Sequence, residues 1–190
     1  MNEELAVTLD WEGPLSCRDF IEQVPAVEKY KCTSGVYLCT EQQGATTVLT
    51  YVGKAADLWT RQVQHYMNQI SGQAIIPKDF CSDGQAWDAL YKHDRFRAIV
   101  LDVERFRQLV TDAFRYVQHV RVFLCRRPAK EVRVLERNLL YDLQPRDTKW
   151  GRETVPSVRI DIRHRNALWV SPEIREHAKK CNLLNGDESS

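Results

Sequence analysis

Tyr37, Tyr51, Lys54, Arg61, His65 and Glu136 bring two phenols, a lysine, an arginine and a histidine four residues apart, and a carboxylate into one part of the chain. Together these suit the hydrolysis of a phosphodiester, which needs an aligned nucleophilic water, charge stabilisation around the phosphorane and a means of protonating the leaving oxygen. A carboxylate such as Glu136 can hold a hard divalent cation through oxygen, the cation acting as Lewis acid and leaving-group stabiliser. Arg61 and Lys54 can meet phosphate oxygens, the first with a rigid fork and the second as a point charge. Tyr37, Tyr51 and His65 supply proton-transfer or water-orienting groups. A phenol near its reference pKa of about 10 is a poor base at neutral pH, so nearby cations must favour its ionised form if it is to activate water.

Tyr37 lies in GVYLCT and Tyr51 in TTVLTYVG, two runs of strand formers joined by the polar EQQG, which predicts an antiparallel hairpin. Gly53 then stops the strand and Asp57 caps a helix running to about Ile70. Trp59, Val63, Tyr66, Met67 and Ile70 form its apolar stripe, and Arg61 and His65 share a different face. From Ser71 to Asp94 the pattern weakens into a long loop of the kind that often carries function. FRAIVLDV reads as a strand. A helix over about Glu104 to Val117 follows, with Phe106, Leu109, Val110, Ala113, Phe114 and Val117 inward, and then VRVFLC as another strand. Ala129 to Leu143 reads as a helix, with Val132, Leu135, Leu139 and Leu143 in its core stripe, Glu136 at the margin of that stripe and Pro145 preventing continuation. A short helix is expected near Asp19 to Glu28. The fold class is therefore α/β (α+β), built on a mainly antiparallel sheet.

Gly35-Val36-Tyr37 and Tyr51-Val52-Gly53 resemble the two motifs of the GIY-YIG nuclease superfamily. Arg61 and His65 match that family's arginine on the first helix and the histidine or tyrosine four residues later. Lys54 matches a basic residue of the excision-repair branch, and LERNLLYDLQP resembles that branch closely, placing Glu136 in the metal-holding role. The resemblance covers roughly Thr33 to Thr148, and five matches stand in the correct order. It implies a central three-stranded antiparallel sheet flanked by helices, Mg2+ or Mn2+ dependence, and DNA cleavage through a single metal ion with one tyrosine, usually the first, activating water. Gly35 and Gly53 would support the site. Where the family commonly has asparagine this chain has Thr148, whose hydroxyl cannot present an amide's two donors and carbonyl. A catalytically silent DNA-binding protein is the alternative reading, and an α/β interaction protein with both tyrosines as packing residues is the third.

A chain of 190 residues, 43% hydrophobic and 28% charged, is long enough for one buried core and lies outside the range of disordered composition. The expected organisation is an N-terminal extension over 1–32, a nuclease-like domain over 33–150 with an insertion at about 66–95, and a basic C-terminal extension with a frayed tail over 151–190. No apolar run approaches the roughly 20 residues needed to cross a bilayer, and MNEELAVTLDWEG lacks the order of a secretory signal, so a cytoplasmic home is expected. Six scattered cysteines without ligand spacing read as buried thiols. Net charge is only +1, but Arg121 to Arg165 holds 12 Lys or Arg against 6 Asp or Glu. That surplus suggests a DNA-backbone surface including Arg146, Lys149, Arg152, Arg163 and Arg165. His93 and His119 have no ligand-spaced partners. The lack of a recognisable zinc-finger, helix-turn-helix or helix-hairpin-helix module favours a restriction-type enzyme, with a homodimer supplying two sites if both strands are cut.

Overall fold

The computed structural model describes residues 5–23, 25–43, 46–71, 76–77, 80–81, 101–145 and 155–167. The expected hairpin is present as β3 (Gly35–Gln43) and β4 (Thr46–Ala55), with Tyr37 opposite Gly53, Cys39 opposite Tyr51 and a bulge between Cys39 and Thr40. VRVFLC lies within β5 (Val120–Arg126), antiparallel to β3 on its other side with Tyr37 opposite Leu124. The sheet has four strands rather than the three expected. A short segment over Glu12–Leu15, here β2, pairs antiparallel with the remaining edge of β5, giving the order β2-β5-β3-β4. Glu-Gly-Pro-Leu has no alternation to announce a strand, and Pro14 is tolerated because β2 lies at an edge. β4 is the opposite edge.

A second, two-stranded sheet joins β1 (Leu5–Asp10) in parallel to β6 (Ile160–Arg165). Trp11, directly after β1, donates its indole N–H to Nδ1 of His164 at 3.0 Å. Both strands send residues into the core: Leu9, Ile160 and Ile162 are buried.

The helix expected near Asp19 to Glu28 is two short ones, α1 (Cys17–Ile21) and α2 (Pro25–Glu28). Ser16 and Asp19 form a capping box at α1, while Pro25 suits the first position of a new helix and could not donate into an old one. α3 (Leu58–Ile70) starts at the Asp57 cap as its sequence predicts, the Asp57 side chain accepting from the Thr60 amide at 3.0 Å. α4 spans Val103–His119 and α5 Ala129–Leu143. Residues 96–100 of the expected FRAIVLDV strand lie outside the described residues. Its end is helical instead: Asp102 is the cap of α4, accepting from the Arg105 amide. On α4 the buried line is Leu109, Ala113, Tyr116 and Val117, whereas Phe106 and Phe114, expected inward, are about half exposed.

Alternation along the strands divides the core in two. Tyr37, Cys39, Val122 and Leu124 face α3 and α4; Val36, Leu38, Val52 and Phe123 face α5 together with β1 and β6. Asn138, wholly buried on α5, ties that helix to the C-terminal strand. Its amide donates to the carbonyls of Val134 and Val158 and its oxygen accepts from the Ile160 amide. Among the described residues no helix is long and apolar enough to cross a membrane. Cys17, Cys39, Cys81 and Cys125 are buried free thiols, and Cys32 is exposed.

Candidate active site

Gly53 makes room for the site. A Cβ there would stand 2.5 Å from Cζ and Oη of Tyr37 and 2.7 Å from Cε1 of Tyr51, inside any normal contact distance. The Tyr37 ring therefore lies across the glycine backbone, and Tyr51, two residues earlier on the same face, stacks on it at 5.9 Å with an interplanar angle of 22°. Gly35 serves packing in the same way, since a Cβ would meet the Cys125 carbonyl at 2.3 Å and the Leu58 side chain at 2.8 Å. Because α3 begins three residues after β4 ends, its first turns fold back over this face. Arg61 and His65, one turn apart, both reach Tyr37. Arg61 Nε donates to Tyr37 Oη at 3.2 Å, and His65 Nε2 lies 2.6 Å from the same oxygen. Tyr51 packs edge-on to His65 at 5.2 Å.

Donor and acceptor capacities assign the protons. A guanidinium can only donate, so the phenol oxygen accepts from Arg61 and its own hydrogen needs an acceptor. His65 Nε2 fills that role, which places the imidazole proton on Nδ1. Burial, and after it the charge of Arg61, pushes the His65 pKa down to about 4, so the ring is neutral across the physiological range. Burial also raises the Tyr37 pKa well above its ordinary value, with Tyr51 and Cys39 adding to the shift and Arg61 opposing it. Activation of water by an ionised first tyrosine needed the cation to win, and burial wins instead. Tyr37 is fully buried and holds its proton; Tyr51 is half-buried and is the phenol at the surface.

Lys54 and Glu136 form a second group. Lys54 lies opposite Val36 and so belongs to the α5 side of β4, where its ammonium is ion-paired with Glu136. The Glu136 side chain is 16% exposed, at the margin of the α5 stripe as expected. The hairpin, the first helix and the glutamate helix, expected from the order of their polar residues to converge on one cleft, do not do so: Glu136 lies on the far side of the sheet from Tyr37 and Arg61. Tyr37, Tyr51, Arg61 and His65 gather on the α3 side of the edge strand and Lys54 with Glu136 on its α5 side, because Gly53 and Lys54 are consecutive and a strand alternates.

Arg163 and Arg165 are exposed on β6, with Arg163 near Asp161, and neither joins the tyrosine cluster. His164 between them turns inward onto Trp11. Arg146, Thr148, Lys149, Arg152 and His93 lie outside the described residues, as does most of the expected insertion. Among the described residues no three His, Cys, Asp or Glu side chains cluster to hold a metal, so Glu136 would act with one carboxylate. Sequence reading missed Gln62, which is completely buried between Arg61 and His65 on α3's inner line. A polar residue four positions after Leu58 and four before Tyr66 was the available signal.

Comparison of the chain with protein-family models, curated proteins and solved structures returned no match.

Proposed function

We propose that the chain is a divalent-metal-dependent DNA endonuclease of GIY-YIG type, acting on a phosphodiester laid along β4, the edge strand of the sheet among the described residues. The observation that carries this reading is the buried Tyr37 hydroxyl held between Arg61 and His65 beside the stacked Tyr51. An edge strand is where both faces of a sheet can be reached at once. A strand of DNA there would meet Arg61, His65 and Tyr51 from one side and Lys54 and Glu136 from the other.

Arg61 commits Nε to Tyr37, which fixes the plane of its fork and leaves other nitrogens for a phosphate oxygen. Tyr37 acts by holding Arg61 and His65 in place. Tyr51, the more accessible phenol, orients the water, whose proton leaves to bulk solvent; His65, with Nε2 taken by the Tyr37 hydrogen and Nδ1 protonated, acts with Tyr37 as a positioning group. Mg2+ or Mn2+ would be held through the Glu136 carboxylate once Lys54 releases it, with water and substrate oxygens as the remaining ligands, a mode common for magnesium. That ion would supply Lewis-acid stabilisation of the departing oxygen. Exposed Arg163 and Arg165 would add backbone contacts that position a duplex without reading it. A restriction-type enzyme, working as a homodimer where both strands are cut, is the favoured subclass.

Supercoiled plasmid with magnesium, manganese or chelator tests the reading. Metal-dependent nicking that disappears in Arg61→Ala is expected, together with DNA affinity that falls steeply as salt rises. One observation favours a second reading, a catalytically silent DNA-binding protein: Lys54 already neutralises the carboxylate that a metal would need. Binding without nicking under either metal selects it, and neither binding nor nicking at low salt returns the chain to an α/β interaction protein.

A further inference from the structure

Next to the tyrosine cluster, between α3, α4 and the sheet, lies a cavity of about 190 Å³ whose lining includes Tyr51, Gln62, His65, Tyr66, Gln69 and Tyr116. Its polar groups are unusual. Both amide atoms of Gln62, the Tyr66 hydroxyl and the Gln69 side-chain oxygen are buried without a hydrogen-bond partner, and Gln62 as a residue is completely inaccessible. Most buried polar atoms in folded proteins are paired, because leaving one unpaired forfeits its hydration with no return. Four such atoms around one cavity are poorly explained by packing.

We propose that this cavity is a pocket for a single planar nucleobase, read through Gln62, whose sealed amide turns into the cavity as the base enters. A primary amide offers a donor and an acceptor in one plane, the complement of the adjacent donor and acceptor on the edge of adenine or cytosine, and glutamine pairs with adenine in this two-point way. The cavity is smaller than the several hundred cubic ångströms typical of drug-sized ligands, which suits a bare heterocycle. Tyr51, Tyr66 and Tyr116 supply aromatic walls, and enzymes that extract a base from a duplex use this combination of edge contacts and ring packing. Tyr51 and His65 belong both to the cavity and to the tyrosine cluster, so a seated base carries its own phosphate toward Arg61. Delivery of that base by a DNA strand rests on the nuclease reading; the chemistry of the pocket does not.

Two measurements on the full chain separate the two. The first is binding of free adenine and free cytosine, followed by equilibrium dialysis or ligand-detected NMR, for the wild type and Gln62→Met, with circular dichroism as a folding control. Saturable binding of at least one base, weakened about tenfold or more by Gln62→Met, is the expected result. No saturable binding by folded wild type at millimolar base overturns the pocket and leaves ordered water as its occupant. Equal binding by the variant overturns the reading through Gln62. The second measurement is fluorescence of a 2-aminopurine duplex, which should rise with wild type and stay low with Gln62→Met. Free-base binding without any DNA binding keeps the pocket and removes the nuclease. DNA bound, with the fluorophore unchanged and no free-base binding, keeps DNA recognition and removes the pocket.

Discussion

Tyr37 Oη and His65 Nε2 stand 2.6 Å apart although 28 residues separate them in the chain, and Arg61 Nε closes on the same oxygen at 3.2 Å. With Arg61 restricted to donating, the phenol donates its own hydrogen bond to an imidazole kept neutral by burial and by that same Arg61. One buried hydroxyl therefore sets the orientation of a guanidinium fork and the tautomer of a histidine.

Tyr37→Phe and Tyr51→Phe should separate positioning from contact with water. Removing the Tyr37 hydroxyl leaves Arg61 Nε and His65 Nε2 without their shared partner, and losses of this kind cost about 1–3 kcal/mol. Cleavage should fall about a hundredfold through misplacement of both groups. Tyr51 is half-buried, so its hydroxyl should matter little to stability while its loss lowers the rate by about 10²–10⁴. Urea denaturation and single-turnover oligonucleotide cleavage on both variants check the contrast; equal stability of the two would remove the positioning role from Tyr37.

Acid should destabilise the fold through two buried imidazoles. His65 and His164 are each pushed down to about 4 from 6.5, His65 by burial and then Arg61, His164 by burial. Between those values the unfolded chain binds protons that the folded chain refuses, so stability is full above about 6.5 and is lost as pH falls toward 4. The hydrogen bonds agree in sign, because protonating His164 Nδ1 would break the bond it accepts from Trp11. Thermal melts across that interval should show Tm falling with pH, and His164→Asn should flatten the slope. A Tm flat over the interval would mean that neither imidazole is held neutral.

Much of this site was legible where the signals are local. The hairpin, α3 and α5 follow from alternation, the Asp57 cap and the Pro145 stop, each decided within a few residues. β1 and β6 were not legible, since a parallel pair made from opposite ends of the chain leaves no mark in either segment alone, and β2 is a Gly-Pro segment recruited by an open strand edge. Strand alternation did predict that Lys54 and Tyr37 face apart, but grouping residues by chemistry hid it. Reading α3 by hydrophobicity also misplaced a face: Met67, expected in the apolar stripe, is 61% exposed, while Gln62 takes the inner position.

Gly53→Ala should be harmful even though it adds only a methyl group. Reducing the freedom of the unfolded chain would by itself stabilise by about 0.4–1 kcal/mol. Against that, the new Cβ would lie 2.5 Å from the Tyr37 ring and hydroxyl, and overpacking of this kind costs about 1–3 kcal/mol. The second effect wins, and relief of the clash moves Tyr37 away from Arg61 and His65. The variant should melt lower than wild type and lose cleavage beyond what its stability explains, measured at a temperature where both remain folded. Unchanged cleavage would show that the close packing of Tyr37 on Gly53 has no part in the chemistry.

Glu136→Gln should abolish cleavage and leave the fold almost intact. The Lys54–Glu136 pair is partly solvent-exposed, with side-chain exposures of 39% and 16%, and pairs in such settings contribute about 0–1 kcal/mol. Gln keeps the length and volume of the side chain at the edge of the α5 stripe, so packing should be little disturbed. What it loses is the anionic oxygen that a hard cation prefers. Lys54→Met should act in the opposite direction on metal affinity, because it releases the carboxylate, while lowering the maximal rate through loss of a phosphate contact. Single-turnover cleavage across a magnesium series, with circular dichroism and DNA-binding controls, resolves the two: Glu136→Gln inactive at every concentration, Lys54→Met half-activated at lower magnesium but slower at saturation. Near-wild-type cleavage by folded Glu136→Gln would remove the residue from the metal role and with it the proposed edge-strand mechanism. A wild type that binds DNA yet cuts under neither metal, with Lys54→Met equally inert, would assign the ion pair a structural role and the protein to DNA binding alone.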